Sequence, residues 1–427
     1  MEFLIETQDQ LDKFMHKDFK EVFIVSIPQN YNYHPALTKI NSFYIKDLTL
    51  NQSYIIPLKH TEALNPNIDI EQILSLFNTI YTFDKKQQLY FSSGFDKAID
   101  IKFDFDLDYR EFFCPTLNYF YKTYPTLKNL NALIPIVKLY ELWNNITKQF
   151  KNINPTSYTK FASDKITNVL YNIEKNPIML DKTEFDHYFN TYNQSYNIFD
   201  NTVYSQYNLY NTTTRPSNHF NSINFLALNK TNGERKSFIP KNDIFVEIDF
   251  SAYHPTLVGK LINENFIGYD KIMTELNIEK QQAKQKVFRF LYGGVKEGLE
   301  KIDWFEKVFY FIENMWEKFL KEGYLENPIS KKMFYKDQLG DINKQKLFNY
   351  YLQSLETSTS INKIEKVQNL LINKNTKIIL YVYDSILLDM DKEERFLLKN
   401  IKDILEEDGF KIGLSYGTNY NELKKLN

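Results

Sequence analysis

Two aspartates in this 427-residue chain stand where an ionised carboxylate needs a positive partner. Asp249 ends the apolar run IFVEIDF, and Asp384 sits at the tip of KIILYVYDSILLDM, two strand-like runs meeting at a turn. A charge in such surroundings is disfavoured without a counter-charge. A pair of hard divalent cations held through oxygen would supply one. Between the two lie Lys280, Lys284, Phe288 and Tyr292, four residues apart and followed by Gly293-Gly294. That spacing puts them on one stripe of a helix. Ammonium groups at one end and rings at the other suit a nucleoside triphosphate, with phosphates on the lysines and the base and sugar near the rings. A helix with a solvated basic end and a core-facing aromatic end would show the same pattern.

The elements that must carry these residues are readable in part. Residues 244–250 read as a buried strand, 279–291 as a helix, 343–366 as a long amphipathic helix, and 377–390 as a hairpin turning at 383–385. Upstream, EVFIVSI (21–27) and QSYIIPL (52–58) read as strands, and Asn65-Pro66-Asn67 as a turn ahead of a helical pattern. Apolar residues recurring at three and four over 127–150 predict a helix, with Pro135 in its first turn or at a kink. Residues 185–211, rich in Asn and Tyr without a clear period, read as loop-rich. The order is that of an α+β chain, and its length calls for two or more domains.

The motifs together resemble family A DNA polymerases. DFSAYHP (249–255) resembles their motif A. K-x3-F-x3-YG on Lys284, Phe288, Tyr292 and Gly293 resembles motif B, and VYDSILL (382–388) resembles motif C. TTTRPSN (212–218) with GERKSFIP (233–240) is similar to the segment ahead of motif A. NYYLQ (349–353) is similar to the helix that places an Asn and a Gln on the duplex, and KIGLSYGTNYNEL (411–423) to the closing strand and turn. Each motif is degenerate, but their shared order over roughly the last half of the chain is specific.

The resemblance implies a right-hand polymerase with an N-terminal exonuclease-like α/β domain. Residues 1–125 would form the latter and 126–427 the former, with the thumb at about 127–210, the palm at 211–263 and 340–427, and the fingers at 264–339. It further implies that Asp249 and Asp384, with the carbonyl of Phe250, hold two Mg2+ ions, Mn2+ being a substitute. Lys284 would act on the triphosphate, and Lys280, in the place of an Arg, on its outer phosphates. Phe288, Tyr292 and His254 would shape the nucleotide pocket, and Arg215, Asn349 and Gln353 would touch the primer-template. Primer-template DNA and dNTPs are the expected partners, and the expected form is a monomer.

The chain departs from the family in three places. Tyr383 and Ser385 replace the His and Glu of motif C, and His254 replaces the Glu of motif A that helps exclude a ribose 2′-hydroxyl. Single-subunit phage RNA polymerases, a related branch, carry a Ser at the second place. An RNA polymerase or primase-like activity therefore stays open beside DNA synthesis, as does a non-catalytic nucleic-acid-binding relic.

In the first segment, YIIPLKH (54–60) and SGFDKAI (93–99) faintly resemble parts of a 3′–5′ exonuclease. Ser26-Ile27-Pro28 stands where that activity needs its first acids, so proofreading is expected to be lost. Asp104, Asp106 and Asp108 alternate as on one solvated strand face.

Composition sets looser bounds. The net charge of −2 excludes a strongly basic protein, although residues 1–125 read acidic and the remainder slightly basic. The 16% aromatic share is mostly core material. The lone Cys114 excludes an internal disulfide or a multi-cysteine zinc site. With no apolar run of membrane length and an acidic start, a cytoplasmic protein without a membrane partner is expected.

Overall fold

In the computed structural model, which describes residues 2–29, 33–61, 63–104, 136–148, 150, 153–189, 198–219 and 222–426, the chain divides into two units. The first comprises Met1–Tyr210 with Asn218–Leu228, and the second Asn211–Ser217 with Asn229–Asn427.

The first unit is built on a six-stranded mixed sheet in the order Glu2–Leu4, Gln52–Pro57, Ile40–Asp47, Phe19–Pro28, Phe77–Thr82, Ile99–Asp100. The strand Phe19–Pro28 is buried at all but two positions, which explains its unbroken apolar sequence: both its faces are covered. On one face Phe14, Phe19, Phe43, Tyr54 and Phe77 pack together. On the other, Phe23 and Tyr44 meet Trp143 and Ile146 of the helix Ile136–Thr147, and the Tyr44 hydroxyl donates to Asn144 Oδ1 at 2.6 Å.

That helix is the described part of the one expected over 127–150. Expected within a thumb, it instead roofs the first sheet, because a 3.6-residue period says that a helix has an apolar face but not what covers it. The compact units part at Tyr210/Asn211 rather than at the expected 125/126 boundary. Residues 185–211 are less loop-like than their composition suggests. The helix Lys182–Phe189 enters them, followed by the short strands Ile198–Phe199, Thr202–Val203 and Tyr207–Asn208.

Two buried lysines in this unit have carboxylate partners. Lys86 Nζ bonds the Glu174 carboxylate, which also accepts the Tyr207 amide, and Lys102 Nζ lies 3.1 Å from Asp84. At Ser26-Ile27-Pro28 no acid intervenes; the Ser26 amide donates to Gln88 Oε1 at 2.7 Å. Asp104 does not stand on a strand. It ends the short helical turn Ile101–Phe103 and accepts the hydroxyls of Thr156 (3.1 Å) and Thr159, so its role is to tie two segments. Asp106, Asp108 and Cys114 lie outside the described residues.

The second unit centres on a five-stranded antiparallel sheet in the order Lys377–Val382, Ser385–Met390, Ile244–Ser251, Lys411–Gly417, Lys424–Lys425. The helix Lys344–Leu370 starts on an Asn343 cap, whose Oδ1 accepts the Lys346 amide at 2.8 Å. Expected to be amphipathic, it is buried round most of its circumference, and the buried set includes Ser354, Glu356, Thr357, Ser358, Ser360 and Lys363. Such a helix shows no polar stripe because polar side chains are spent on interior contacts, as where Asn327 Nδ2 donates to Ser354 Oγ at 2.8 Å. Among the described residues no helix is long and apolar enough to cross a membrane.

The Lys86–Glu174 pair generates a stability test. Lys86→Met leaves a buried carboxylate uncompensated and should cost about 3–5 kcal/mol in chemical denaturation. Adding Glu174→Gln should recover most of the loss. A single variant as stable as the parent would show that the pair is not compensating a buried charge.

Candidate active site

The strand Ile244–Ser251 alternates apolar and polar residues toward its end, and its register fixes where Asp249 points. Asp249 stands opposite Ser385 on one side and Gly413 on the other. The hairpin closes with Val382 opposite Ser385, leaving Tyr383 and Asp384 as the two turn residues. Tyr383 takes a left-handed φ of 58° there. The Phe250 amide donates to the Asp384 backbone carbonyl at 2.9 Å, which pins the turn to the strand. Two aspartates 135 positions apart in sequence are thereby neighbours.

Both aspartate side chains open into one cleft of 1630 Å³. Partial burial, then the charges of Asp384 and Glu247, push the Asp249 carboxyl up to about 6. Partial burial, then the charge of Glu356, raises Asp384, while His254 and Arg215 oppose that rise. Glu247, two residues before Asp249, is occupied elsewhere, with Lys230 at 3.3 Å and Arg235 at 3.9 Å. After the strand, Ala252 adopts φ 51°, ψ 44° and turns the chain into the helix Tyr253–Leu261. Tyr253 stacks on Phe250 at 4.4 Å and anchors that turn to the long helix through Ser360 Oγ at 2.8 Å.

The opposite wall is the helix Lys280–Gly293. Ala283, Val287, Phe290 and Leu291 are its buried face, so Lys280, Lys284, Phe288 and Tyr292 are left on the cleft side. Phe288 is 62% exposed, and its ring lies 4.4 Å from that of Tyr292, so the stripe is not a core-facing one. Lys284 is near enough for its charge to pull the Asp249 carboxyl back down. The helix stops where Gly294, at φ 67°, donates to Phe290 O at 3.0 Å and Val295 donates to Arg289 O at 3.2 Å. The left-handed step explains the second glycine of the pair.

The floor comes from the long helix and from Arg215. Asn349 and Gln353 border the cleft one turn apart, linked by a 2.9 Å bond from Gln353 Nε2 to Asn349 Oδ1. The Arg215 guanidinium covers the Tyr383 ring at 3.8 Å. The residues expected to meet metal, nucleotide or primer-template thus border the same cleft.

One was missed. Glu356, 1% exposed, carries Arg215 Nη2 at 3.1 Å on Oε1. Its Oε2 lies 3.1 Å from His254 Nε2, within ion-pair range of a protonated imidazole though not aligned for a hydrogen bond. The other ring nitrogen of His254 is bonded to the Tyr292 hydroxyl. The signal was present: 349, 353, 356 and 360 fall on one stripe of a helix.

The donor set fits hard cations. Among the described residues no group of three or more His, Cys, Asp or Glu side chains is arranged to hold a metal. Two carboxylates facing a roomy cleft instead match Mg2+, which keeps waters and takes one or two carboxylates with substrate phosphates.

No family model and no curated protein matches the sequence. Among solved structures, the chain is similar to the POL domain of Pol1 from M. smegmatis, described in complex with DNA primer-template and dNTP. The TM-score is 0.68 over 99% of both chains, at 10% identity. At that identity the likeness shows a shared fold.

The electrostatics make a prediction independent of any reaction. The Asp249 carboxyl titrates higher in the folded chain than in the unfolded one, so ionising it works against folding. That cost is fully present above pH 6 and gone below pH 4. Asp249→Asn should therefore raise the melting temperature of the metal-free protein at pH 8, on the order of 1–2 °C for roughly 1 kcal/mol after solvent screening. The gain should fade as pH falls from 6 to 4. An Asn variant that melts lower than the parent at pH 8 would contradict this charge balance.

Proposed function

We propose that the chain is a template-directed DNA polymerase of the family A type, adding deoxynucleotides to a primer 3′ end. One observation carries the reading: Asp249, near the end of a strand, and Asp384, in the turn of the adjoining hairpin, are side by side in a cleft whose facing helix presents Lys280, Lys284, Phe288 and Tyr292. The likeness to a polymerase domain described with primer-template and dNTP supports it.

In this reading Asp249, Asp384 and the carbonyl of Phe250 hold two Mg2+ ions. When bound, the ions supply Lewis-acid activation of the primer hydroxyl and neutralisation of the departing pyrophosphate. Lys284 meets the phosphates and is placed to give pyrophosphate a proton, and Lys280 holds the outer phosphates. Phe288 and Tyr292 bound the nascent base pair. Arg215, Asn349 and Gln353 read the duplex by shape rather than sequence. The palm is the sheet with the long helix beneath it, and the fingers are the helices within 264–339. The thumb is assigned to the helices of 127–210 that follow Thr147, and the six-stranded sheet roofed by Ile136–Thr147 to an exonuclease-like domain without its catalytic acids.

A second reading, ribonucleotide synthesis, draws on His254. Its imidazole, rather than a carboxylate, meets the Tyr292 hydroxyl at the pocket wall. Ser385 adds no acid either; its hydroxyl donates to Val382 O at 3.2 Å and closes the hairpin.

Primer extension decides between them. The full chain with Mg2+ should extend a primed template with dNTPs. Asp249→Asn or Asp384→Asn should lower the rate at least ~10³-fold and Lys284→Ala about 10²-fold, with primer-template affinity changed little. Extension at the parent rate by either Asn variant would overturn the assignment. Synthesis on unprimed template from NTPs alone would favour the second reading.

A further inference from the structure

Glu356 takes no part in the chemistry proposed above, yet two limbs of the cleft end on it. Its carboxylate is 1% exposed on the long helix, beyond the reach of water that would otherwise solvate it. Oε1 holds the Arg215 guanidinium at 3.1 Å, and Oε2 faces His254 Nε2 at 3.1 Å. Arg215 in turn lies over the Tyr383 ring at 3.8 Å, next to Asp384, and His254 is bonded to Tyr292 on the lysine-bearing helix. A continuous chain of contacts therefore runs from the hairpin tip, through Arg215, Glu356 and His254, to the ring that bounds the nucleotide pocket.

One carboxylate shared by two basic groups is a point of competition. Arg215 is 25% exposed along its side chain, so part of it can turn toward a ligand in the cleft, whereas Glu356 cannot follow. Whatever draws Arg215 away leaves the Glu356 charge to His254 alone. The imidazole is then held more firmly, and the Tyr292 hydroxyl with it. The converse also holds, because a coupling between two binding events is reciprocal.

We propose that Glu356 is a positioning residue that couples the seating of primer-template on Arg215 to the ordering of the nucleotide pocket at Tyr292. The inference rests on the polymerase reading of the cleft.

The test uses the full chain and a dideoxy-terminated primer-template, so that nothing reacts. Primer-template affinity is measured with and without the next correct dNTP at saturation. In the parent, the nucleotide should tighten primer-template binding at least 5-fold. In Glu356→Gln, which keeps shape but loses charge, the tightening should fall below 2-fold, while affinity for primer-template alone is kept or improved. Glu356→Asp, retaining the charge, should recover part of the effect. If Glu356→Gln does not fold, His254→Gln carries the test from the other end of the contact chain and should abolish the tightening likewise.

A parent that binds both ligands with no tightening, or a folded Glu356→Gln that tightens like the parent, overturns the coupling and leaves the polymerase reading intact. A parent that binds neither primer-template nor dNTP overturns that reading, and this inference with it.

Discussion

The backbone bond from the Phe250 amide to the Asp384 carbonyl, with the ladder that sets Asp249 opposite Ser385, is the constraint on which the cleft depends. Side chains on a strand alternate faces, so a slip of one residue would send Asp249 to the far side of the sheet and leave Asp384 alone. The apolar residues before Asp249 resist such a slip, since Phe245 is packed on one face of the strand and Val246 and Ile248 on the other, and all would have to be repacked. This register holds two carboxylates close in a half-enclosed space: burial raises both, the Asp384 charge adds to the rise of Asp249, and the Glu356 charge adds to that of Asp384. A site that carries such repulsion in the absence of ligand is ready to accept positive charge.

The rest of the second unit answers that negative pair. Lys280 and Lys284 face it from a helix whose own apolar face fixes their direction, so the cations need no partner of their own to be aimed. Arg215 and His254 oppose the rise of the Asp384 carboxyl and are themselves held by Glu356. Removing charge at any one of these points shifts the balance at the others, as expected of buried polar networks. The interior polar residues of the helix Lys344–Leu370 belong to the same arrangement: they fix the floor on which Asn349, Gln353 and Glu356 stand.

Much of this was legible in sequence, for identifiable reasons. The strands around Asp249 and Asp384 are apolar runs bounded by turns, and the helix Lys280–Gly293 carries a four-residue repeat and a glycine stop. These are local signals, and the structure reproduces them nearly to the residue. Glu356 escaped because a glutamate in the polar string SLETSTS resembles a solvated helix face; only its spacing from Asn349 and Gln353 marked it. The helix Ile136–Thr147 was recognised, but its place on the first sheet depends on Trp143 and Ile146 meeting Phe23 and Tyr44, which lie far earlier in the chain. Asp104 was read by strand alternation, whereas threonine hydroxyls 52 and 55 residues away decide its surroundings. Long-range packing, rather than local propensity, separates what was read from what was not.

The central claim is that Asp249 and Asp384 act as one cation site. Titration with Mn2+, followed by electron paramagnetic resonance in the presence of a non-reacting nucleotide, tests it without requiring turnover. Each single Asn variant should lose at least ~10-fold in Mn2+ affinity, and the double variant should lose little more than either, as for ligands of a shared site. A single variant that binds Mn2+ as the parent does would contradict the account.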